Sequence, residues 1–311
     1  MVALTQTRIA AVDVARGIAL VAMTIYHFTW DLEFFGWIAP GTTAEIGWVL
    51  FARSIAVTFV FLVGVGLVLG HGTAIHWCPF SRRWAMVAGA AALVTLSTWW
   101  MTPQAYVFFG VLHAIALFSL LGLPFARLPW WCAAAAALAV VATNAIVADD
   151  LFSGALYWTG LHATNPLSND YVPLFPWFAA TLAGIAVTKL ARASPLWARV
   201  TRPRETTAIE RPFVFLGRHS LVYYLLHQPA MIGALSLAAT LGVKPDPARH
   251  FERSCTLQCE ETGDGEICRR FCGCVTRSLA GQGLLDGFAA GELDEAAGAR
   301  ADGLIMQCRS G

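Results

Sequence analysis

The chain has 311 residues, 57% of them hydrophobic and only 13% charged, with a formal net charge of +1 and a mean hydropathy of +0.59. Soluble domains carry roughly a quarter charged residues, so a water-soluble globular protein is excluded. The balanced charge leaves no basic field, which excludes a nucleic-acid partner.

Apolar runs of about 18 residues or more read as membrane spans. Seven are predicted, over 9–29, 49–70, 84–101, 105–123, 130–148, 174–190 and 219–241. The expected fold is all-α: a polytopic helical membrane bundle of about seven transmembrane helices with a small disulfide-rich C-terminal tail. Residues 1–243 form the membrane domain and residues 244–311 an extracytoplasmic tail. The first span is not a signal peptide, because its charges sit inside the apolar run and no small-x-small cleavage site follows.

That first span carries charge where lipid disfavours it. Asp13, Arg16, Leu20, Met23, His27 and Asp31 are spaced 3, 4, 3, 4 and 4, one stripe of an α-helix. Ionisable residues inside a span are functional-site candidates. Arg16 and His27 lie about three turns apart, roughly 16 Å along the axis at ~1.5 Å per residue. The seam is therefore polar at its two ends and apolar at its waist.

The loops set the orientation through the distribution of Lys and Arg. With the N-terminus cytoplasmic, the inner side holds Arg8, Arg82, Arg83, Arg127, Lys189, Arg192, Arg199, Arg202, Arg204, Arg211 and Arg218. The outer loops hold Asp31, Glu33, Glu45, Asp149, Asp150 and Asp170, and Arg53 alone among basic residues. The expectation is a multi-pass protein, N-terminus inside and tail outside. Gly64-x-Gly66-x3-Gly70 and the run Ala133–Ala137 read as small-residue packing surfaces. Most of the twelve Trp cluster near span ends as interfacial belts.

The tail contains six of the eight cysteines. Cys255-x3-Cys259 and Cys268-x3-Cys272 flank a turn from Glu260 to Glu266. A helical hairpin stapled by Cys255–Cys272 and Cys259–Cys268 fits this spacing, leaving Cys274 and Cys308 as a third pair, one of 15 pairings open to six cysteines. An outer location favours disulfides. The rival reading is a zinc site, although zinc knuckles usually use the shorter C-x2-C spacing; no metal is expected. Cys78 and Cys132 read as free thiols.

Five segments together resemble the transmembrane acyltransferase superfamily. They are Asp13-x2-Arg16-Gly17-Ile18-Ala19; His27-Phe28-Thr29-Trp30-Asp31-Leu32; Phe109-Gly110-Val111-Leu112-His113; Asp170-Tyr171-Val172-Pro173-Leu174-Phe175-Pro176-Trp177; and Leu216-Gly217-Arg218-His219 through Leu226-His227-Gln228-Pro229. The likeness covers residues 1–241 and is closest to bacterial members of the heparan-α-glucosaminide N-acetyltransferase family; the tail has no part in it. His27 matches the acyltransferase-3 pattern, whereas animal members of the closer family carry Asn there.

The resemblance implies transfer of an acyl group, most simply acetyl, from cytoplasmic acyl-CoA to a hydroxyl or amine of a glycan-like acceptor at the outer face. It also implies a bacterial inner (plasma) membrane. Acetyl-CoA is the expected donor, and membrane lipid, acyl-CoA and the acceptor are the expected partners; a homodimer is one assembly the sequence allows. His27 is the expected general base, with Asp31 at i+4 holding the ring's other nitrogen. His113 is a second acid/base group or oxyanion donor, or else a satisfied structural histidine. Arg16, Arg211, Arg218 and His219 form a cationic floor for donor phosphates, while Asp13 either pairs with Arg16 or orients it. Asp170 is a candidate for binding the acceptor, or a solvated loop charge. His227, two residues before Pro229, is read as structural.

Two other classes remain open at this stage. A transporter or exporter of a polar molecule would use the same His, Asp and Arg as a relay, but the halves of the chain show no repeat. A scaffold would use the membrane part to present the tail.

Overall fold

The computed structural model describes residues 9–164, 166–201, 205–243, 246–260 and 263–310. Arg8, Arg202 and Arg204, counted above among the inner cations, lie outside the described residues, as do Glu261 and Thr262 of the tail turn. Among the described residues the secondary structure is helical, apart from one isolated parallel bridge between Phe109 and Tyr171.

Among the described residues, five helices are long and apolar enough to cross a membrane: α1 (Ala10–Phe34), α2 (Ile46–His71), α3 (Trp77–Met101), α6 (Leu174–Arg192) and α9 (Ser220–Thr240). Two shorter apolar helices, α4 (Val111–Gly122) and α5 (Trp130–Ile146), occupy the other two expected spans. The expected count of about seven is thus five full-length helices and two short ones. Twelve residues cover about 18 Å at ~1.5 Å each, less than the ~30 Å hydrocarbon core. α4 is short because Pro103–Ala105 forms a separate 3-10 turn and the chain from Tyr106 to Gly110 is not helical. The remaining helices are α7 (Pro195–Val200), α8 (Glu210–Arg218), α10 (Pro247–Glu260), α11 (Gly265–Gly281), α12 (Leu285–Ala290) and α13 (Glu295–Ser310).

Helix outer faces bear large apolar side chains, such as Ile18, Leu96, Leu138 and Leu237, that are more than half exposed. Such a surface suits lipid and would be a liability in water. The chain is a membrane protein.

The fold divides into two compact units. The first comprises the described residues up to Met23 together with Ala52–Leu226. Its core gathers Val60, Leu67, Phe118, Ala133, Leu182 and Ile185 from α2, α4, α5 and α6. Ala133 on α5 is fully buried, with Ala134, Ala136 and Ala137 packed against the same core. α2 and α6 approach at backbone distance. A methyl built on Gly64 would collide with the Thr181 carbonyl, and one on Gly184 with that of Phe61. The Thr181 hydroxyl donates to the Val60 carbonyl at 2.8 Å within this contact. Gly66 and Gly70, named with Gly64 as a packing stripe, have open space at their Cβ positions.

α1 and α8 meet through a second glycine pair. A methyl on Gly17 would strike the Phe213 carbonyl, and one on Gly217 the Asp13 carbonyl. Small residues substitute for the hydrophobic effect here, because helices in lipid associate by close van der Waals contact.

The second unit comprises Thr24–Phe51 and the described residues from His227 onward. It contains the last turns of α1, most of α9 after its first third, and the tail. Three disulfides join Cys255 to Cys272, Cys259 to Cys268 and Cys274 to Cys308. The first two tie α10 to α11, and the third ties α11 to α13. Val275, Leu279, Leu285 and Ala301 form a small tail core, and the Asp264 carboxylate caps α11 by accepting from the Glu266 and Ile267 N–H groups. Cys78 and Cys132 are free thiols.

Candidate active site

The first unit contains a cavity of about 1030 Å³. Arg16 on α1, Arg83 on α3, Arg192 on α6, and Arg218 and His219 at the end of α8 all line it, with Asp13 the acidic member. Arg16 Nη1 lies 3.3 Å from Asp13 Oδ1 and 3.4 Å from the Gly217 carbonyl oxygen. Arg218 Nε lies 3.6 Å from Asp13 Oδ2. The Gly17–Phe213 and Gly217–Asp13 contacts produce this arrangement, since only backbones in touch bring α1 and α8 near enough for one carboxylate to serve both arginines. Arg192 lies over the Trp197 ring at 5.9 Å and donates to the Val68 carbonyl at 3.4 Å. His219 Nδ1 is 2.9 Å from the Phe215 carbonyl, so it carries the proton and donates. Four guanidinium groups against one carboxylate give the cavity an excess of positive charge, and guanidinium is the side-chain group best matched to phosphate or carboxylate oxygens.

Farther along the same unit, Asp170 Oδ2 accepts the Val111 N–H at 2.8 Å. It caps α4, where the helix dipole favours an anion. Burial still holds its carboxyl above the ordinary range, with the Val111 hydrogen bond opposing the shift. His113 Nδ1 accepts the Gly110 N–H at 3.3 Å. The ring proton therefore sits on Nε2, which donates to the Thr95 hydroxyl at 3.0 Å. Thr95 passes its own proton to the Val107 carbonyl at 2.7 Å. Beside them, Tyr171 donates to the Tyr157 carbonyl at 2.6 Å and accepts from His162 Nε2 at 2.6 Å. Burial and the neighbouring Tyr157 push the Tyr171 phenol up to about 12.

In the second unit, His27 and His227 face one another edge to face, with ring centroids 5.2 Å apart. One turn further along α1, the fully buried Asp31 accepts from the Gln228 side-chain amide. Asp31 Oδ2 and Gln228 Oε1 are buried with no hydrogen-bond partner among the described residues. They offer two acceptor atoms next to two imidazoles.

The family model described as heparan-alpha-glucosaminide N-acetyltransferase, catalytic, matches residues 8–229, well over half of the chain. The chain belongs to this family. No curated protein and no solved structure matches it. Membership implies a membrane acetyltransferase activity. The matched stretch of this N-acetyltransferase-family chain includes the arginine-lined cavity, His27, Asp31, His113, Asp170, His227 and Gln228, and stops before the tail.

The residues singled out from sequence divide in three ways. Asp13, Arg16, Arg218 and His219 come together on one cavity. Arg211, expected beside them, is exposed on α8 and is not part of the lining. Seven residues, about two turns, separate Arg211 from Arg218, so the two share a face of α8 and differ by roughly 10 Å in position along its axis rather than in helical phase. No hydrogen bond joins Asp31 to His27 among the described residues: Asp31 Oδ1 accepts from Gln228 of α9, and the His27 ring lies against that of His227. His113 has both ring nitrogens engaged by Gly110 and Thr95. It thus has no lone pair left for a substrate proton. Asp170 spends Oδ2 on the α4 N-terminus.

Arg83, Arg192 and Gln228 were not picked out from sequence. In sequence the first two are indistinguishable from ordinary inner-loop cations. Gln228 sits beside His227 and Pro229, and only the pairing of α1 with α9 reveals its partner.

Proposed function

We propose that the chain transfers an acetyl group from acetyl-CoA to a hydroxyl or amine of a glycan-like acceptor. The observation that carries this reading is the cavity with four arginines inside the family-matched region. Phosphates of the donor would lie against Arg16, Arg83, Arg192 and Arg218, with Asp13 holding two of these guanidiniums in place. The Lys and Arg bias of the loops supports a cytoplasmic N-terminus, hence a cytoplasmic donor, and an extracytoplasmic tail over residues 244–311. A bacterial inner membrane fits the same reading.

His27 is the proposed general base. The acceptor O–H or N–H attacks the thioester carbonyl, its proton passes to a His27 nitrogen, the C–S bond breaks, and the proton leaves with the CoA thiol. The His227 ring and the Asp31–Gln228 pair supply the polar surroundings in which that imidazole works. α1 bears both Arg16 and His27.

The test is His27→Ala in proteoliposomes, with acetyl-CoA as donor and glucosamine, which offers both an amine and hydroxyls, as the acceptor probe. Removal of the base lowers kcat about 10²–10⁴-fold while the melting profile stays that of wild type. Wild-type activity in this variant would overturn the assignment. Probe uptake into vesicles without acetyl transfer would replace the enzyme reading by the transporter one.

A further inference from the structure

The tail contributes a side chain to the segment that carries His27 and Asp31. Arg253 on α10 sends Nη1 to Glu33 Oε1 at 2.7 Å. Its guanidinium also lies 5.5 Å from the centroid of the Trp30 ring and 5.3 Å from that of Phe34. Trp30, Glu33 and Phe34 all belong to the last two turns of α1. The pair is shielded, with side chains 14% and 4% exposed. Glu33 completes its acceptor capacity with the Gly41 N–H at 2.9 Å and with the Thr43 N–H and hydroxyl, both at 2.7 Å.

The same helix holds the chain that leaves α1. Arg249 Nη1 donates to the Trp37 carbonyl at 3.0 Å, and the Asp246 N–H donates to the Gly36 carbonyl at 3.1 Å. α10 is in turn bound covalently to α11 by two disulfides.

The end of α1 needs such a partner. Its last turns carry Asp31 and Glu33 and no basic residue, which puts carboxylates at the negative pole of the helix. A cation from elsewhere must offset them. Arginine suits the place better than lysine, because one planar group pairs with a carboxylate and stacks on aromatic faces together.

We infer that Arg253 is a positioning residue: the disulfide-stapled tail uses it to clamp the last two turns of α1, and so fixes where His27 and Asp31 stand against His227 and Gln228. The inference rests on the proposed role of His27. Arg253 lies beyond the family-matched residues 8–229.

The test uses full-length R253Q and R253K in proteoliposomes. It reads steady-state acetyl transfer from acetyl-CoA to glucosamine alongside hydrogen exchange of the amides at 27–34. R253Q should lose about ten-fold or more in kcat, since displacements near 1 Å at a catalytic group cost up to ~10²-fold. The KM for acetyl-CoA should not move, and exchange at 27–34 should speed up. R253K keeps the charge and loses the stacking, so it should fall between wild type and R253Q in both kcat and protection. An unchanged kcat in R253Q, a raised donor KM, or a kcat loss with unchanged exchange would each overturn the clamp. If R253Q does not fold, R253K alone decides: faster exchange at 27–34 with a lowered kcat supports the clamp, and wild-type values in both sink it. Failure of the His27 reading is separately visible, because His27→Ala would then keep its activity while the exchange data still report on the clamp.

Discussion

Asp13 stands between two guanidinium groups, with Oδ1 3.3 Å from Arg16 Nη1 and Oδ2 3.6 Å from Arg218 Nε. One of these partners is a turn away on α1 and the other arrives on α8, so the carboxylate fixes the spacing of two cations on the cavity wall.

For the donor site, Arg16→Ala should raise the KM for acetyl-CoA by about ten-fold, the worth of one charge-assisted contact of ~1.4 kcal/mol, with kcat recovered at high donor concentration. Asp13→Asn keeps the shape but releases both arginines, so it should raise the same KM by a smaller factor. Steady-state kinetics with donor varied at fixed glucosamine decides. An unchanged KM in both variants would remove the cavity from donor binding.

For packing, Gly64→Ala should destabilise the first unit by roughly 1–3 kcal/mol, the usual range for overpacking a tight contact. Its new methyl would have to displace the Thr181 carbonyl. Gly89→Ala on α3 meets open space and should be neutral or stabilising by up to ~1 kcal/mol from helix propensity. Thermal unfolding of the two variants in the same detergent compares them. Equal melting temperatures would mean that α2 and α6 do not touch at Gly64.

The carboxyl of Asp170 titrates above the ordinary range, burial being the larger cause. The folded protein therefore binds this proton more tightly than the unfolded chain does. Stability from this group is present at low pH and is lost as pH rises through the folded pKa. Asp170→Asn keeps an oxygen for the Val111 N–H and removes the titration. Its melting temperature should match or exceed wild type at pH 7 and vary less between about pH 4 and pH 7. A marked loss of stability at pH 7 would show that the ionised form is the one the fold requires.

Much of this architecture can be read from the chain itself. Apolar runs place the helices, the i, i+3 spacing of Asp13 and Arg16 places their pair, and the x3 cysteine spacing leads to the disulfides between α10 and α11. What resists reading is any partnership between residues far apart in sequence. The pairs Asp31–Gln228 and Glu33–Arg253 are separated by 197 and 220 positions, and no periodicity encodes them. The i, i+4 spacing puts Asp31 and His27 on one helix face, but spacing says nothing of the facing amide of Gln228 on α9 that engages the Asp31 carboxylate. Helix length is likewise hidden at α4, where an apolar run from 105 continues through Phe109 and Gly110 without being helical.

Loop closure separates the three disulfides. Cys274–Cys308 closes a separation of 34 residues and Cys259–Cys268 one of 9. The chain-entropy relation assigns these about 4 and about 3 kcal/mol at 25 °C. Paired replacement by Ser should therefore loosen the tail more at 274/308 than at 259/268. Hydrogen exchange across residues 265–308 of the full chain reads this order, and the reverse order would point to native-state packing as the dominant contribution.

The start of α4 depends on chain that does not yet exist when α4 is made. The Ala105 and Phe109 carbonyls are met by the Asn169 and Val172 N–H groups, and Val111 by the Asp170 carboxylate 59 residues downstream. A twelve-residue helix with unmet backbone groups beside it is a poor candidate for entering lipid alone, where each such group costs several kcal/mol. Biogenesis should consequently be out of order: α4 waits at the interface while the ribosome completes α5 and the following loop, and takes its final depth only when α6 is threaded. A nascent chain stalled ahead of residue 170 would leave α4 within reach of aqueous labelling reagents, whereas the completed protein would protect it.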